Sequence, residues 1–495
     1  MIEEYRTQYS EFNEGYQREL YLFYSGQKPT LEIAPIYERY DDLFRKDAID
    51  QITKELERTP EQFETSRKSL GHFLAFAVEH FLENSVKHLT EQVNEYESSA
   101  KIEIDGRLFT FNDAAVAVAT ESNREYRRRI HSGRASVIER SNDLRAQRLE
   151  KLHAAARLLG HANYRALFES IRQIDYASVA ARGTQLLSET DAAFTATIAD
   201  SLRGALGISL EEAERPDAVY FLHFGRYDSR FPAEKLLPVY RETMAGLGID
   251  TDQQKRVLID SEPRPLKAAR AFCLPVSVPD EVKLVIRPSG GQSDYQALLH
   301  ESGHAQHYGW TSQHLAAEFK YTGDAALTET YAFLFNHLVT DPDWLAEFMQ
   351  FESSETFIRS ALLGRLLTIR RYAAKLNYEI QLHGGIDLAA APSIYAESQT
   401  AATRFRTSAI DFLYDLDDGF YAAGYLRAWA SEVLLREHLR SRFGRKWWSS
   451  RRAGTLLKEL WETGDLYTAD EMIAQMGLGP ISFDPLIAEC NRALR

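Results

Sequence analysis

The sequence predicts a mainly α-helical chain of two lobes, with a small β-sheet beside a helix that carries metal-ligand spacing. Three observations lead there. Ala, Leu, Glu, Arg and Gln are abundant, and apolar residues recur at three- and four-residue intervals in most windows, which is the helical period. The 495 residues exceed the size at which one core stops growing, so the chain divides. His300-Glu301-Ser302-Gly303-His304 follows a run of strand-like segments closed by Pro288-Ser289-Gly290-Gly291.

The first two hundred residues read as long antiparallel helices. One covers 123–159, where Arg124, Arg127, Arg128, Arg129, Arg134 and Arg140 form a charge run of the kind that is usually a solvated face. The β-branched alternation around Asp105-Gly106 predicts a small hairpin. Beyond Gly207, Pro216, Pro232 and Pro238 punctuate shorter elements, so a boundary is placed at 205, giving an N-terminal helical lobe over 1–205 and a catalytic lobe over 206–495. Strand signals fall at 256–260, 272–278 and 282–287. Ser293 or Asp294 then caps a helix that passes through Leu298, Leu299 and His300 and ends at Gly309.

Composition excludes several classes. A formal charge of -14 and a pI near 5.6 disfavour nucleic acid and anionic membrane as partners, because both repel an acidic surface. Two cysteines, Cys273 and Cys490, fit a reducing compartment and neither a disulfide framework nor a cysteine-rich zinc site. The opening residues are acidic and lack an apolar core, unlike a signal peptide, and no apolar run is long enough to span a bilayer. A cytoplasmic protein is expected.

On a helix, His300 and His304 stand one turn apart on one face, where both rings can reach one tetrahedral metal while Glu301 points at a water on it. Gly303 lets another backbone or a substrate come close, at some cost in helix propensity. A third ligand is needed. Trp310 stands where a third zincin histidine would fall. Asp324 has the spacing of thermolysin-like enzymes but reads as a turn and helix cap, and Glu318 as exposed. Glu329 is favoured, since a carboxylate in an otherwise apolar helical segment needs a partner. His307 reads as a cleft residue behind the ligands, with core packing an equal alternative.

These residues resemble a known family. His300-Glu-Ser-Gly-His304-Ala-Gln-His307 is similar to the H-E-x-G-H-x-x-H signature of the M3 metallopeptidases, the thimet oligopeptidase and oligoendopeptidase F group, and Glu329 falls 25 residues after His304, where that family places its glutamate ligand. The block from Gly419 through Tyr421, Tyr425 and Trp429 resembles the family's C-terminal tyrosine segment, and Leu158-Leu-Gly-His-Ala-Asn-Tyr164 resembles a helix turn of the oligoendopeptidases. The chain departs from the pattern at Leu416 and Ala428, where the family has histidine and tyrosine, and at Tyr331-Ala332, where it has Pro-Ser.

The resemblance implies a helical gluzincin fold with a deep substrate channel and one Zn2+ held by His300, His304 and Glu329. It implies Glu301 as general base and Tyr421 and Tyr425 as oxyanion donors, with His307, Tyr414 and Arg427 around the substrate. The implied activity is endopeptidase cleavage of short peptides, and the strand 282–286 is expected to present an edge to which an extended substrate pairs main chain to main chain. Similarity to the M32 carboxypeptidases and M2 dipeptidyl carboxypeptidases leaves a carboxypeptidase mode open. The rival from another class is a helical peptide-binding protein that has lost efficient chemistry.

Overall fold

The computed structural model describes residues 2–268 and 270–494. Helices dominate, with one two-stranded and one three-stranded sheet among the described residues, so the mainly α expectation holds. The chain forms two compact units, each assembled from separated stretches. The first comprises Met1–Val78, Arg226–Ile358 and Arg427–Leu486; the second comprises Glu79–Gly225, Arg359–Leu426 and Ile487–Arg495. Residue 205 falls inside the second unit, at the end of helix Tyr176–Leu206, so these units are not divided at that position.

In the second unit, helix Arg124–Leu158 starts where Asn123 accepts the Tyr126 N–H, as its sequence predicts. Its arginine run is not simply a solvated face. Arg127 is buried and pairs with the buried Asp217 at 2.7 Å, Arg124 reaches the same carboxylate at 2.9 Å, and Arg128 binds Glu214 at 2.7 Å. Periodicity locates such arginines on a helix but does not reveal an acid some 90 residues later that neutralises them. The expected hairpin pairs Lys101–Ile104 with Arg107–Thr110, and both turn residues, Asp105 and Gly106, have positive φ, as a two-residue loop matched to strand twist requires.

In the first unit, Val257–Asp260, Phe272–Ser277 and Glu281–Val285 form the three-stranded sheet. Glu281–Val285 is central, parallel to Val257–Asp260 and antiparallel to Phe272–Ser277. Val282, Leu284 and Val285 are fully buried, as befits a strand covered on both faces. Helix Ile2–Tyr24 covers one face, with Tyr21 under Lys283 Nζ and Arg18 bound to Glu281 at 2.9 Å. Side chains alternate along a strand, so Val257 and its register partner Val282 point to the other face. There Val257 meets Gly309 of helix Gln292–Trp310, the motif helix.

That helix begins earlier than expected. Its N-cap is Gly291, at φ 90°, whereas the Asp294 carboxylate turns back to accept the N–H groups of Ser289 and Gly290 at 2.6 and 2.8 Å. It ends at Trp310 rather than Gly309. Helix Ala325–Asn336, the glutamate helix, packs against it at Gly303, where an added Cβ would lie 2.5 Å from Ala332 Cα and 2.5 Å from the Tyr331 carbonyl. Gly303 is therefore required by a helix crossing too close for any side chain.

Candidate metal centre

The close crossing brings the two histidines and the glutamate together. His300 Nε2 lies 3.4 Å from Glu329 Oε2, and His304 Nε2 lies 3.7 Å from Glu329 Oε1. One ligand atom from each residue lies within 4.8 Å of both others, and this is the one such group of three or more among the described residues. Two nitrogen or oxygen ligands of a tetrahedral zinc ion, each roughly 2.0–2.1 Å from it, stand roughly 3.3 Å apart. The observed separations match that geometry and exceed a good hydrogen bond.

The electrostatics agree. Burial holds the His300 imidazolium down to about 4, and burial together with neighbouring His300 and His307 holds His304 well below the ordinary range. Both rings are neutral at neutral pH and keep a lone pair for a cation. His304 Nδ1 is 2.7 Å from Thr328 Oγ1, and the His300 ring packs 5.3 Å from that of Phe333. The donor set, two imidazoles and a carboxylate on rigid helices, suits a divalent ion of the zinc type and leaves a position open.

Glu301 lies beside this group. Burial, and then the charge of Glu329, push its carboxyl up to about 8, opposed by a hydrogen bond donated by the Cys273 N–H. Cys273 belongs to the edge strand Phe272–Ser277, so the sheet positions the carboxylate. The strand expected to present an edge, 282–286, is the central one and has no free edge, a correction that follows from its pairing on both sides.

The rejected ligands have other partners. Glu318 is buried, not exposed, and accepts from Arg6 at 2.7 and 2.8 Å and from Ser69 Oγ. Burial alone would raise its carboxyl, but Arg6 and Ser69 hold it below the ordinary range. Asp324 caps the glutamate helix by accepting the Ala326 N–H, and it takes two 2.7 Å hydrogen bonds from Arg427. Arg427 also binds Asp470, so its guanidinium is engaged on two carboxylates.

The remaining expected site residues have protein contacts of their own. His307 is buried, donates from Nε2 to the Gly464 carbonyl at 3.2 Å, and packs 5.0 Å from the Tyr331 ring. Tyr331 fills that interior. In the second unit, Tyr421 and Tyr425 meet edge to face at 5.0 Å on one helix, Tyr421 is exposed, and Tyr425 lies 5.0 Å from Tyr372. Tyr414 accepts from Arg134, and Arg134 and Arg145 each stand 5.0 Å from its ring. Leu416 joins the apolar cluster of Tyr378, Leu382 and Leu413, and Ala428 is fully buried. Sequence reasoning missed Thr328 and the Cys273 N–H, because single-sequence patterns carry no signal for contacts 24 and 28 residues apart.

No protein-family model and no curated protein matches the sequence. Solved structures do match in fold. A Bacillus anthracis str. Ames protein assigned as an oligoendopeptidase F superposes with a TM-score of 0.64 at 14% identity, over 96% of this chain and 83% of that one. Pz peptidase A with an inhibitor superposes at 0.65 and 15% identity, over 98% of this chain and 91% of the other. The fold resembles that of these peptidases. The likeness runs through nearly the whole chain, and a His, His, Glu cluster that could hold a metal ion lies within it. Among the described residues no helix is long and apolar enough to cross a membrane.

Proposed function

We propose that this protein is a zinc-dependent oligopeptidase of the M3 type, cleaving internal bonds of short peptides in the cytoplasm. The observation that carries the reading is the convergence of His300, His304 and Glu329 within 4.8 Å of one another, on two packed helices with Glu301 alongside. Zn2+ held by those three side chains would lower the pKa of a bound water towards neutrality and polarise the scissile carbonyl.

The protein's own groups supply the rest. Glu301, held by the Cys273 N–H, takes the proton of the attacking water and delivers it to the leaving amine. Neutral His300 and His304 confine the ion without competing protons. Tyr421 and Tyr425 are assigned the developing oxyanion on the strength of their sequence block. His307, Tyr414 and Arg427 are assigned the substrate's surroundings, where their protein partners leave them a supporting part. The edge strand Phe272–Ser277 replaces 282–286 as the strand to which an extended peptide would add by main-chain pairing.

The test combines metal analysis with a quenched fluorescent peptide. Wild type is expected to hold one zinc per chain and to hydrolyse the peptide; Glu301→Gln is expected to keep the zinc and lose about 100- to 10,000-fold in turnover. Full activity in that variant, or a wild type without metal and without hydrolysis, overturns the reading and favours a binding protein. Mass spectrometry of products from a mixed peptide library separates internal cleavage from release of C-terminal residues.

A further inference from the structure

The outer strand Phe272–Ser277 carries a proline, Pro275, within its run. Proline has no N–H and is tolerated in a sheet where that N–H would face away from the neighbouring strand. The pairing of the central strand shows which way residue 275 faces. The Val282 N–H donates to the Arg256 carbonyl at 2.9 Å, and the Ile286 N–H to the Asp260 carbonyl at 3.0 Å. Backbone groups alternate sides along a strand, so Val282, Leu284 and Ile286 turn theirs towards Val257–Asp260, and Lys283 and Val285 turn theirs towards Phe272–Ser277. Phe272 and Leu274, opposite Val285 and Lys283, are therefore bonded into the sheet, whereas Cys273 and Pro275, opposite Leu284 and Val282, turn their backbone groups outward. In agreement, the Cys273 N–H reaches Glu301 rather than the sheet. The register slips before Ser277, which pairs with Glu281, so the outward stretch ends there.

The sheet loses no hydrogen bond to the proline, but the outer edge does. At residue 275 that edge offers a carbonyl and no donor. We infer that Pro275 is a specificity-determining residue: the edge receives an extended peptide through the peptide's own N–H groups, at the carbonyls of Cys273 and Pro275, and the peptide carbonyl that an N–H at 275 would have bonded is left without a main-chain partner. The same holds whether the peptide runs parallel or antiparallel to the strand, because in both directions N–H groups of alternate peptide residues meet the two outward carbonyls. The inference rests on the oligopeptidase reading above and on the pairing of a peptide with this strand, and it adds which half of the peptide main chain is read there.

The test uses the zinc-loaded full chain and one quenched fluorescent peptide with a backbone N-methyl group placed at each residue in turn. Away from the scissile bond, methylation at two alternate residues is expected to lower kcat/KM at least about 5-fold, the cost of an acceptor left unpaired, and to cost more than methylation at the residue between them. Pro275→Ala, which gives the edge its missing donor, is expected to lower KM about 2- to 10-fold, with the gain in KM rather than in kcat. Pro275→Val places the same donor on a residue suited to strands and should match it. Circular dichroism and zinc content check the folding of each variant. An unchanged or raised KM in the folded variants overturns the inference, as does a fall in only one of them, which would assign the effect to the side chain. Should neither variant fold, the methyl scan decides, and a wild type without an alternating pair of sensitive residues overturns the inference. A wild type that cleaves no peptide removes the oligopeptidase reading and this inference with it, a result distinct from a wild type that cleaves and variants whose KM does not fall.

Discussion

Three buried or half-buried carboxylates beyond the motif helix fall within the dozen residues 318–329, and they meet opposite fates. In the segment before the glutamate helix and at its first cap, Glu318 faces Arg6 and Ser69, and Asp324 faces Arg427. Within that helix, Glu329 faces two neutral imidazoles at 3.4 and 3.7 Å. The first two are neutralised by guanidinium groups and serve the fold. The third belongs to the His300, His304 and Glu329 cluster, which could hold a metal ion. Sequence spacing alone admits all three as ligands; what selects among them is the charge of the groups that packing brings opposite.

Removing Glu329 should produce the largest effect. Glu329→Gln is expected to weaken zinc binding by more than the roughly 10- to 100-fold typical of outer partners and to abolish peptide hydrolysis, whereas Glu318→Gln should leave zinc content at the wild-type level. Equal zinc loss in both variants, read by metal analysis, would erase the distinction. Arg427→Met comes next, because it leaves the Asp324 carboxylate buried beside a missing cation. Denaturant unfolding should show a loss of about 3–5 kcal/mol, with the folded fraction still able to bind zinc.

Gly303→Ala probes the crossing that delivers Glu329 to the imidazoles. Its Cβ would meet Ala332 Cα at 2.5 Å, so overpacking should cost about 1–3 kcal/mol. Because the displaced element is the glutamate helix, zinc affinity should fall along with stability; a stability loss with affinity intact would separate the crossing from the site. The smallest effect concerns pH. The folded carboxyls of Glu318 and Asp324 lie below their ordinary values, so each contributes stability that is fully present above the unfolded pKa of about 4 and is lost as pH falls through the lower folded value. Glu318→Gln should therefore flatten stability against pH in that acid window and lower stability near neutrality, where the contribution it removes is fully present.

Much of this was legible in the chain. His300, Glu301, His304 and Glu329 were identifiable because one helical turn repeats every four residues and because an acid inside an apolar helix is anomalous. Gly303 announced a close approach for a similar local reason, and Asp324 announced a cap. Glu318 was misread as exposed because its partner, Arg6, lies 312 residues earlier. The arginines of 123–159 hid Asp217 in the same way, and the central place of Glu281–Val285 in its sheet could not be told from an edge by a strand pattern alone.

The sequence by itself determined the helical class, the three strands, the hairpin turn and the spacing of the two imidazoles, since each depends on propensities and periods within a few residues. Only the tertiary structure decided which carboxylate faces those imidazoles, which hydroxyl lies beside His304, and which strand is central in the sheet. Those outcomes depend on contacts between segments far apart in the chain, where the balance of desolvation and pairing is set by three-dimensional packing and leaves no local trace.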